Sequence, residues 1–431
     1  PNTNNPEIMR GLVKNGMNVA RFNFSHGDYE EHKGRMDLLK QIREEEHANV
    51  AILLDTKGPE IRTGVLKDGK KVHLETGMEF TLTTKDIVGD ENRVSITYKG
   101  LAEDVDAGKV ILIDDGLIGL EVIEKSGKDI RCKVINGGEL GERKGVNVPN
   151  VPVRLPAITE KDKEDIKFGV SQDIDFIAAS FVRNAECILE IRAYLKSLNA
   201  PYIPIIAKIE NSEGIENIDE IIRAADGIMV ARGDLGVEIP AEDVPAIQRM
   251  IIDKCNKQGK IVITATQMLE SMQHNPRPTR AEVSDVFNAV LSGTDAVMLS
   301  GESAAGDYPV EAVCMQAKIC EKAEESFSYD NYNQKIFKNL DNSIQELVAY
   351  SVTSTAAKLP GAKLIIAITN SGATAKSISR MKPALPILAI THNEDVRRGL
   401  SLNYGVLGVA TEKLDSLDAS LDLSLIHISE P

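Results

Sequence analysis

The chain has 431 residues, 42% of them hydrophobic and 27% charged, which is typical of a globular protein too long for a single compact core. A formal net charge of −15 and the lack of any prominent run of Lys and Arg argue against nucleic acid as a partner. No apolar stretch approaches the length needed to span a bilayer, so no membrane partner is expected. Five cysteines without metal-type spacing are typical of free thiols in a reducing cytoplasm.

Short apolar runs rich in β-branched residues alternate with helical patterns along most of the chain. Seven of these runs are predicted to be strands, at residues 17–24, 49–56, 174–181, 203–210, 226–233, 260–267 and 295–302. Continuous apolar runs indicate strands buried on both faces, and their alternation with helices indicates parallel pairing. We therefore expect an α/β fold built on a (β/α)8 barrel that lacks its first strand, which would lie before Pro1.

Two further segments and a tail complete the expected domain organisation. From 60 to 157 alternating strands are joined by Gly turns, as in "LKDGKKVHL", which indicates an inserted all-β domain. Such a domain could act as a lid, and an inert insertion fits the pattern nearly as well. The remaining barrel parts are 1–59 and 158–328, and strand-loop-helix units predict a C-terminal α/β domain, truncated, over 329–422. The tail 423–431, "LSLIHISEP", resembles a translated sequencing adapter and is treated as non-native.

Polar side chains collect where the predicted strands end. They are Arg21, Asn23 and Ser25; Asp55, Thr56 and Lys57; Lys208 and Glu210; Arg232 and Asp234; Thr264 and Thr266; and Ser300 and Glu302. In a parallel barrel chemistry gathers at the carboxyl ends of the strands, and residues two apart on a strand face the same side. The repetition over six strand ends therefore favours a site over a closed network of structural ion pairs.

The strand ends predict a divalent metal and an anionic substrate. Glu210 and Asp234 are the candidate ligands, because Mg2+ (or Mn2+) prefers oxygen and commonly takes one or two carboxylates. The neighbouring cations Lys208 and Arg232 favour a phosphate or carboxylate held between metal and cation. Arg21 adds a guanidinium fork suited to phosphate.

A second group of oxygens, of low total charge, could hold a monovalent cation. It comes from Asn23, Ser25, Asp55 and Thr56. The competing explanation is local capping, because Ser and Asn commonly cap helices at strand-to-helix junctions.

Several long motifs together resemble the pyruvate kinase family. They are "NVARFNFSHG", "LLDTKGPEIR", "AKIENSEG", "VARGDLGVE", "ATQMLESM", "PTRAEVSDV" and "MLSGESA", in the family's order over about residues 1–410. The resemblance implies a (β/α)8 barrel with a β lid after its third strand. It also implies phosphoryl transfer from phosphoenolpyruvate to ADP, giving ATP and pyruvate. As further partners it implies a homotetramer and a phosphorylated allosteric effector in the full-length protein.

By motif match, the resemblance also implies a role for each candidate residue. Glu210 and Asp234 would hold Mg2+, and the ligands of K+ would be Asn23, Ser25, Asp55 and Thr56. The catalytic residues would be Lys208, Arg21 and Thr266, and the substrate site would add Ala231, Arg232, Gly233 and Asp234. The nucleotide side would include Asn23, His26 and Arg62, and Glu60 implies a requirement for K+.

The loop "AITNSGATAKS" is a candidate effector site. The ligands implied for an effector phosphate are Thr369, Ser371, Gly372 and Thr374. Backbone N–H groups at a helix N-terminus favour an anion, although an ordinary capped turn between a strand and a helix would have the same sequence pattern.

Two other functions compete with a kinase. A Mg2+-dependent lyase or aldolase of a phosphoenolpyruvate- or pyruvate-binding barrel family would share a Glu and Asp metal pair, but "LLDTKGPEIR" and the β insertion count against it. A ligand-sensing protein without activity would lack metal or phosphoryl ligands, and every such position is present in this sequence.

Overall fold

The computed structural model describes residues 2–341 and 343–413. The tail at 423–431 and the end of the expected C-terminal domain lie outside the described residues. The strands are β1 (Val19–Asn23), β2 (Ala51–Asp55), β3 (Val72–Leu74), β4 (Glu79–Thr83), β5 (Arg93–Ser95), β6 (Val110–Ile113), β7 (Ile118–Ser126), β8 (Asp129–Asn136), β9 (Gly138–Leu140), β10 (Val146–Asn147), β11 (Phe176–Ala179), β12 (Ile205–Ile209), β13 (Gly227–Ala231), β14 (Ile261–Ala265), β15 (Ala296–Met298), β16 (Ile365–Ile368), β17 (Ile387–Thr391) and β18 (Val406–Ala410). The α-helices are α1 (Pro6–Lys14), α2 (Tyr29–Glu45), α3 (Leu101–Asp104), α4 (Glu160–Ser171), α5 (Ala185–Ser197), α6 (Ser212–Glu216), α7 (Ile218–Ala224), α8 (Arg232–Glu238), α9 (Val244–Gln258), α10 (Arg280–Ser292), α11 (Gly301–Ala304), α12 (Pro309–Glu324), α13 (Tyr329–Phe337), α14 (Ile344–Lys358), α15 (Ala373–Arg380) and α16 (Glu394–Gly399).

Seven parallel strands form one sheet in the order β1-β2-β11-β12-β13-β14-β15. Each strand lies inside one of the seven apolar runs, so the predicted barrel sheet is confirmed. The runs are apolar throughout because both faces are buried: Leu53 and Ile206 pack in one core cluster, and Leu54 and Ile205 pack in another.

The strand register gathers the polar strand ends. Asn23 of β1 lies opposite Asp55 of β2, and Asp55 in turn lies opposite Ala178 of β11. Lys208 of β12 lies opposite Met229 of β13. Because all seven strands run in the same direction, their carboxyl ends meet at one edge of the sheet.

The inserted segment forms β-structure with its own core. Its main sheet has the order β10-β6-β7-β8-β4-β5, and β3 pairs with β9. Phe80, Leu120 and Ile130 are completely or almost completely buried in this core. The one-turn helix α3 is an addition to the expected strands-only pattern.

The C-terminal part forms a three-stranded parallel sheet, β16-β17-β18. Strands β16 and β17 lie in the two predicted strand-loop-helix units, whereas β18 is not predicted, because Gly405 and Gly408 interrupt its apolar run. None of the helices in the described part of the chain has the length and apolar character that crossing a membrane requires.

Two ion pairs join α16 and the segment after α15 to the barrel. Arg398 Nε lies 2.6 Å from Asp175 Oδ1, and Lys382 Nζ lies 2.5 Å from Asp295 Oδ1. Each aspartate directly precedes a barrel strand, and its other oxygen accepts a backbone N–H at the start of a neighbouring strand. The C-terminal part therefore contacts the amino end of the barrel sheet, opposite the candidate site.

Candidate active site

The ammonium of Lys208 lies at the centre of the polar strand ends. Its Nζ is 2.9 Å from Glu210 Oε1, 3.1 Å from Asp55 Oδ1 and 2.8 Å from Ser180 Oγ. Burial lowers the pKa of Lys208, but the two carboxylates raise it further, so the net pKa lies above its ordinary value. The side chain is therefore a fixed cation with a partner for each of its three protons.

Glu210 and Asp234 form a pair of interacting carboxylates. Burial and the charge of Asp234 raise the pKa of Glu210 to about 7 against the opposing effect of Lys208. Desolvation by the surrounding protein also raises the pKa of Asp234. This side chain lines a cavity beside the lid. Among the described residues Asp234 has no basic partner within 4.0 Å, so this carboxylate is available to a ligand.

Arg21 is held against the same cluster. Its Nε lies 2.5 Å from Asp55 Oδ2, and Asp55 is completely buried. Arg21 and Lys208 together keep the pKa of Asp55 below its ordinary value despite burial, so the carboxylate stays charged. At the end of β1, Asn23 lies opposite Asp55 in the register, and Asn23 Oδ1 accepts the N–H of Ser25 at 3.0 Å.

The guanidinium of Arg232 does not join Lys208, contrary to the prediction from the strand ends. It lies 2.7 Å from Asp285 on α10 and donates to the carbonyls of Ala265 and Thr266 at 3.1 and 2.5 Å. The Arg232 guanidinium is therefore paired with Asp285, a carboxylate distant in sequence. Thr266 itself has a φ of 74°, unusual for a β-branched residue, and lies beside Gly233 at the start of α8.

Two other strand-end residues also face away from the cluster. Thr264 is completely buried and bonds to Thr294 Oγ1 at 3.0 Å. Glu302 accepts the N–H groups of Leu269 and Ser300 at 3.1 and 2.7 Å, so it stabilises local backbone.

A cavity of about 320 Å³ separates the lid from the barrel. Glu60 and Arg62 line its lid side, joined by a 2.7 Å ion pair, and Asp234 lines its barrel side. Asn147 of β10 donates to Glu238 of α8 at 2.9 Å, which brings the β domain against the barrel mouth. The inserted domain therefore covers the carboxyl ends of the strands.

His26 lies on an exposed loop at the same end of the barrel. Its carbonyl lies 2.8 Å from Nε2 of the buried His32, which fixes the loop without using the His26 ring. The ring is thus accessible.

The turn after β11 is a part of the site that the sequence analysis misses. Ser180 is buried and contacts Lys208, and the N–H of Phe181 donates to Glu210 Oε2 at 2.6 Å. The only signal in the sequence is that Ser180 falls two residues after Ala178 at a strand end, and a lone serine there is common.

The effector candidate lies in the C-terminal sheet, apart from these groups. Thr369 Oγ1 accepts the N–H of Gly372 at 3.0 Å, and Gly372 has a left-handed φ of 82° just before α15. Ser371 and Thr374 are exposed at the start of that helix.

The fold and the site together define an enzyme of the parallel β/α barrel class. The sequence matches the family "Pyruvate kinase, barrel domain" over residues 1–313 and "Pyruvate kinase, alpha/beta domain" over residues 346–429. It is 51% identical over 426 residues to a pyruvate kinase of Clostridium perfringens, covering 98% of this chain and 89% of that protein. It is 50% identical over 424 residues to one of Bacillus licheniformis, covering 98% and 72%.

A solved structure agrees with these matches. The crystal structure of a pyruvate kinase from Cryptosporidium parvum superposes with a TM-score of 0.96 at 42% identity, covering 99% of this chain and 88% of that one. The chain belongs to the pyruvate kinase family. Its activity is phosphoryl transfer from phosphoenolpyruvate to ADP, giving ATP and pyruvate, and the resemblance read from the sequence is confirmed.

Proposed function

We propose that Lys208, Arg21 and Thr266 perform this transfer with a divalent cation on Glu210 and Asp234. The observation that carries the proposal is the buried ammonium of Lys208 between Asp55 and Glu210. With all three carboxylates ionised, Asp55, Glu210 and Asp234 carry three negative charges against the two positive charges of Arg21 and Lys208, which gives the cluster a net charge of −1. An added cation would balance this excess.

The residues present fit Mg2+ or Mn2+. Within the described residues no group of three or more His, Cys, Asp or Glu is arranged for a metal, but Mg2+ commonly uses one or two carboxylates and completes its shell with water and substrate oxygens. Burial raises the pKa of both Glu210 and Asp234, and the charge of Asp234 raises that of Glu210 further, so a cation bound between them would stabilise their ionised forms.

The four oxygens around Asp55 fit K+. They come from Asn23, Ser25, Asp55 and Thr56, of which only Asp55 is charged, and Asn23 and Asp55 are register partners. When bound, the two cations neutralise charge on the transferring phosphoryl group and on the enolate.

The chain's own residues orient the substrate. Arg21 and Lys208 would contact the phosphoryl oxygens, since both are fixed by Asp55. The substrate carboxylate would meet the backbone from Ala231 through Arg232 and Gly233 to Asp234, where α8 begins. Thr266 would deliver the proton to the enolate, directly or through water.

The nucleotide is proposed to bind on the lid side. Asn23, His26 and Arg62 would contact it, and Arg62 lines the cavity between the lid and the barrel.

The division into barrel (1–59 and 158–328), lid (60–157) and C-terminal domain (329–422) is part of this proposal.

Regulation and assembly complete the proposal. A phosphorylated effector would bind the loop of Thr369, Ser371, Gly372 and Thr374, which leads into the N-terminus of α15. A homotetrameric assembly and a cytoplasmic location are proposed from membership of the family.

The proposal is tested by assaying ATP formation from ADP and phosphoenolpyruvate. The assay omits Mg2+ or K+ in turn and includes carbon–carbon cleavage of an oxo acid as the competing reaction. Activity that needs both cations supports the proposal. Cleavage without ATP formation would overturn it.

A further inference from the structure

The turn that follows β11 contacts four members of the proposed cation and phosphoryl cluster, namely Lys208, Asp55, Thr56 and Glu210. The hydroxyl of Ser180 lies 2.8 Å from Lys208 Nζ, 2.6 Å from the carbonyl of Thr56 and 3.1 Å from Asp55 Oδ1. A hydroxyl donates one hydrogen bond and accepts two. Ser180 can therefore donate to Thr56 and accept from Lys208 at once.

The backbone of the same turn holds the two halves of the cluster. The N–H of Ser180 donates to Thr56 Oγ1 at 3.1 Å, and the N–H of Phe181 donates to Glu210 Oε2 at 2.6 Å. These adjacent N–H groups therefore reach two different strand ends, and Phe181 itself has a left-handed φ of 54°. One turn thus binds a proposed K+ ligand and a proposed Mg2+ ligand.

The loop after β2 approaches this turn as closely as a glycine permits. A Cβ built on Gly58 would lie 2.8 Å from Ser180 Cβ and 2.9 Å from Phe181 Cδ2, and Gly58 has a φ of 73°. The Ser180 hydroxyl consequently has little room to move, which suits a group that fixes another side chain.

We propose that Ser180 is a positioning residue that directs the Lys208 ammonium toward the phosphoryl group. The inference rests on the proposed function. The three protons of Lys208 point to Asp55, Glu210 and Ser180, and two carboxylates alone leave the ammonium free to tilt between them. Small misplacements of a catalytic group cost large factors in rate.

The test is Ser180→Ala in the purified whole chain. We expect kcat to fall by about 10- to 100-fold with a small change in KM for phosphoenolpyruvate, because alignment rather than binding is lost. The K+ concentration for half-maximal activity should rise about fivefold, since the carbonyl of Thr56 loses the hydroxyl that holds it.

A metal-binding measurement without turnover distinguishes misalignment of Lys208 from a general loss of the site's structure in Ser180→Ala. The affinity for Mn2+, measured by calorimetry without substrate, should stay within about twofold of wild type, because the Phe181 N–H still holds Glu210. Loss of Mn2+ binding in Ser180→Ala would overturn the inference, as would an unchanged kcat.

A matched control removes another buried serine hydroxyl. Ser379 donates to the carbonyl of Tyr404 at 2.7 Å in the C-terminal part, and Ser379→Ala should cost similar stability without lowering kcat. If Ser180→Ala does not fold, Ser180→Cys keeps the side-chain volume and weakens the hydrogen bonds, with the same expected kinetics. Absence of ATP formation by the wild-type chain would instead overturn the proposed function.

Discussion

Lys208 Nζ and Glu210 Oε1 lie 2.9 Å apart at the carboxyl end of one barrel strand, and both side chains are almost completely buried. Burying a charged pair is costly unless other groups compensate, so an ion pair at this position is weak evidence for a purely structural role. Here Asp55 and Arg21 extend the pair, and Asp234 leaves one negative charge without a basic partner within 4.0 Å among the described residues. These features favour a site that binds a cation and a phosphoryl group.

Glu210→Gln should weaken binding of Mn2+ by about tenfold or more, because a neutral amide replaces a metal-binding carboxylate. Calorimetry without substrate measures this directly. Glu213→Gln is the control, since Glu213 lines the cavity that Asp234 also lines but lies outside the proposed ligand pair. Equal Mn2+ affinity in wild type and Glu210→Gln would rule out Glu210 as a ligand.

Activity should require K+, and Glu60→Lys should relieve that requirement. Glu60 pairs with Arg62 at 2.7 Å and contributes to the raised pKa of Asp234, so it adds negative charge near the cluster. A lysine there would supply positive charge in place of K+. The measurement is activity with Mg2+ and a bulky organic cation, with Glu60→Gln as control. Full wild-type activity without K+ would contradict the prediction.

The loop before α15 should carry the response to a phosphorylated effector. Ser371→Asp puts a carboxylate where the effector phosphate is proposed to bind, so the response should disappear. Titration with fructose 1,6-bisphosphate, ribose 5-phosphate and AMP measures it. Ser351→Asp, on the exposed face of α14, adds the same charge elsewhere in this part of the chain. An unaltered response in Ser371→Asp would locate the effector site elsewhere.

Arg398→Met should destabilise the protein strongly. Arg398 and Asp175 are both buried and their atoms lie 2.6 Å apart, and breaking a buried ion pair costs about 3–5 kcal/mol because the remaining charge is uncompensated. Arg397→Met is the control, since Arg397 pairs with the more exposed Glu394. Chemical denaturation compares the two variants. Equal stabilities would show that the Asp175 contact contributes little.

Patterns local in sequence predict much of this fold. The seven barrel strands follow from apolar runs buried on both faces, and Lys208 and Glu210 share a side because they are two residues apart. Contacts distant in sequence are not predictable in this way. Arg232 was expected to face the anion, but Asp285 on another helix pairs with it. Ser180 carries no distinguishing local signal, although its hydroxyl contacts Lys208.

The role of Lys208 is tested most directly by comparing the kcat of Lys208→Met with that of Lys260→Met. Lys260 lies just before β14, at the opposite end of the barrel, and donates to the carbonyl of Ala225 at 2.6 Å, so its replacement also removes a partly buried ammonium. We expect Lys208→Met to lower kcat by about 10²- to 10³-fold, the effect of removing a preorganised charge from the transition state, with KM for phosphoenolpyruvate changed much less. Lys260→Met should keep kcat near the wild-type value. A folded Lys208→Met enzyme with near-normal kcat would show that this ammonium does not act on the transferring phosphoryl group.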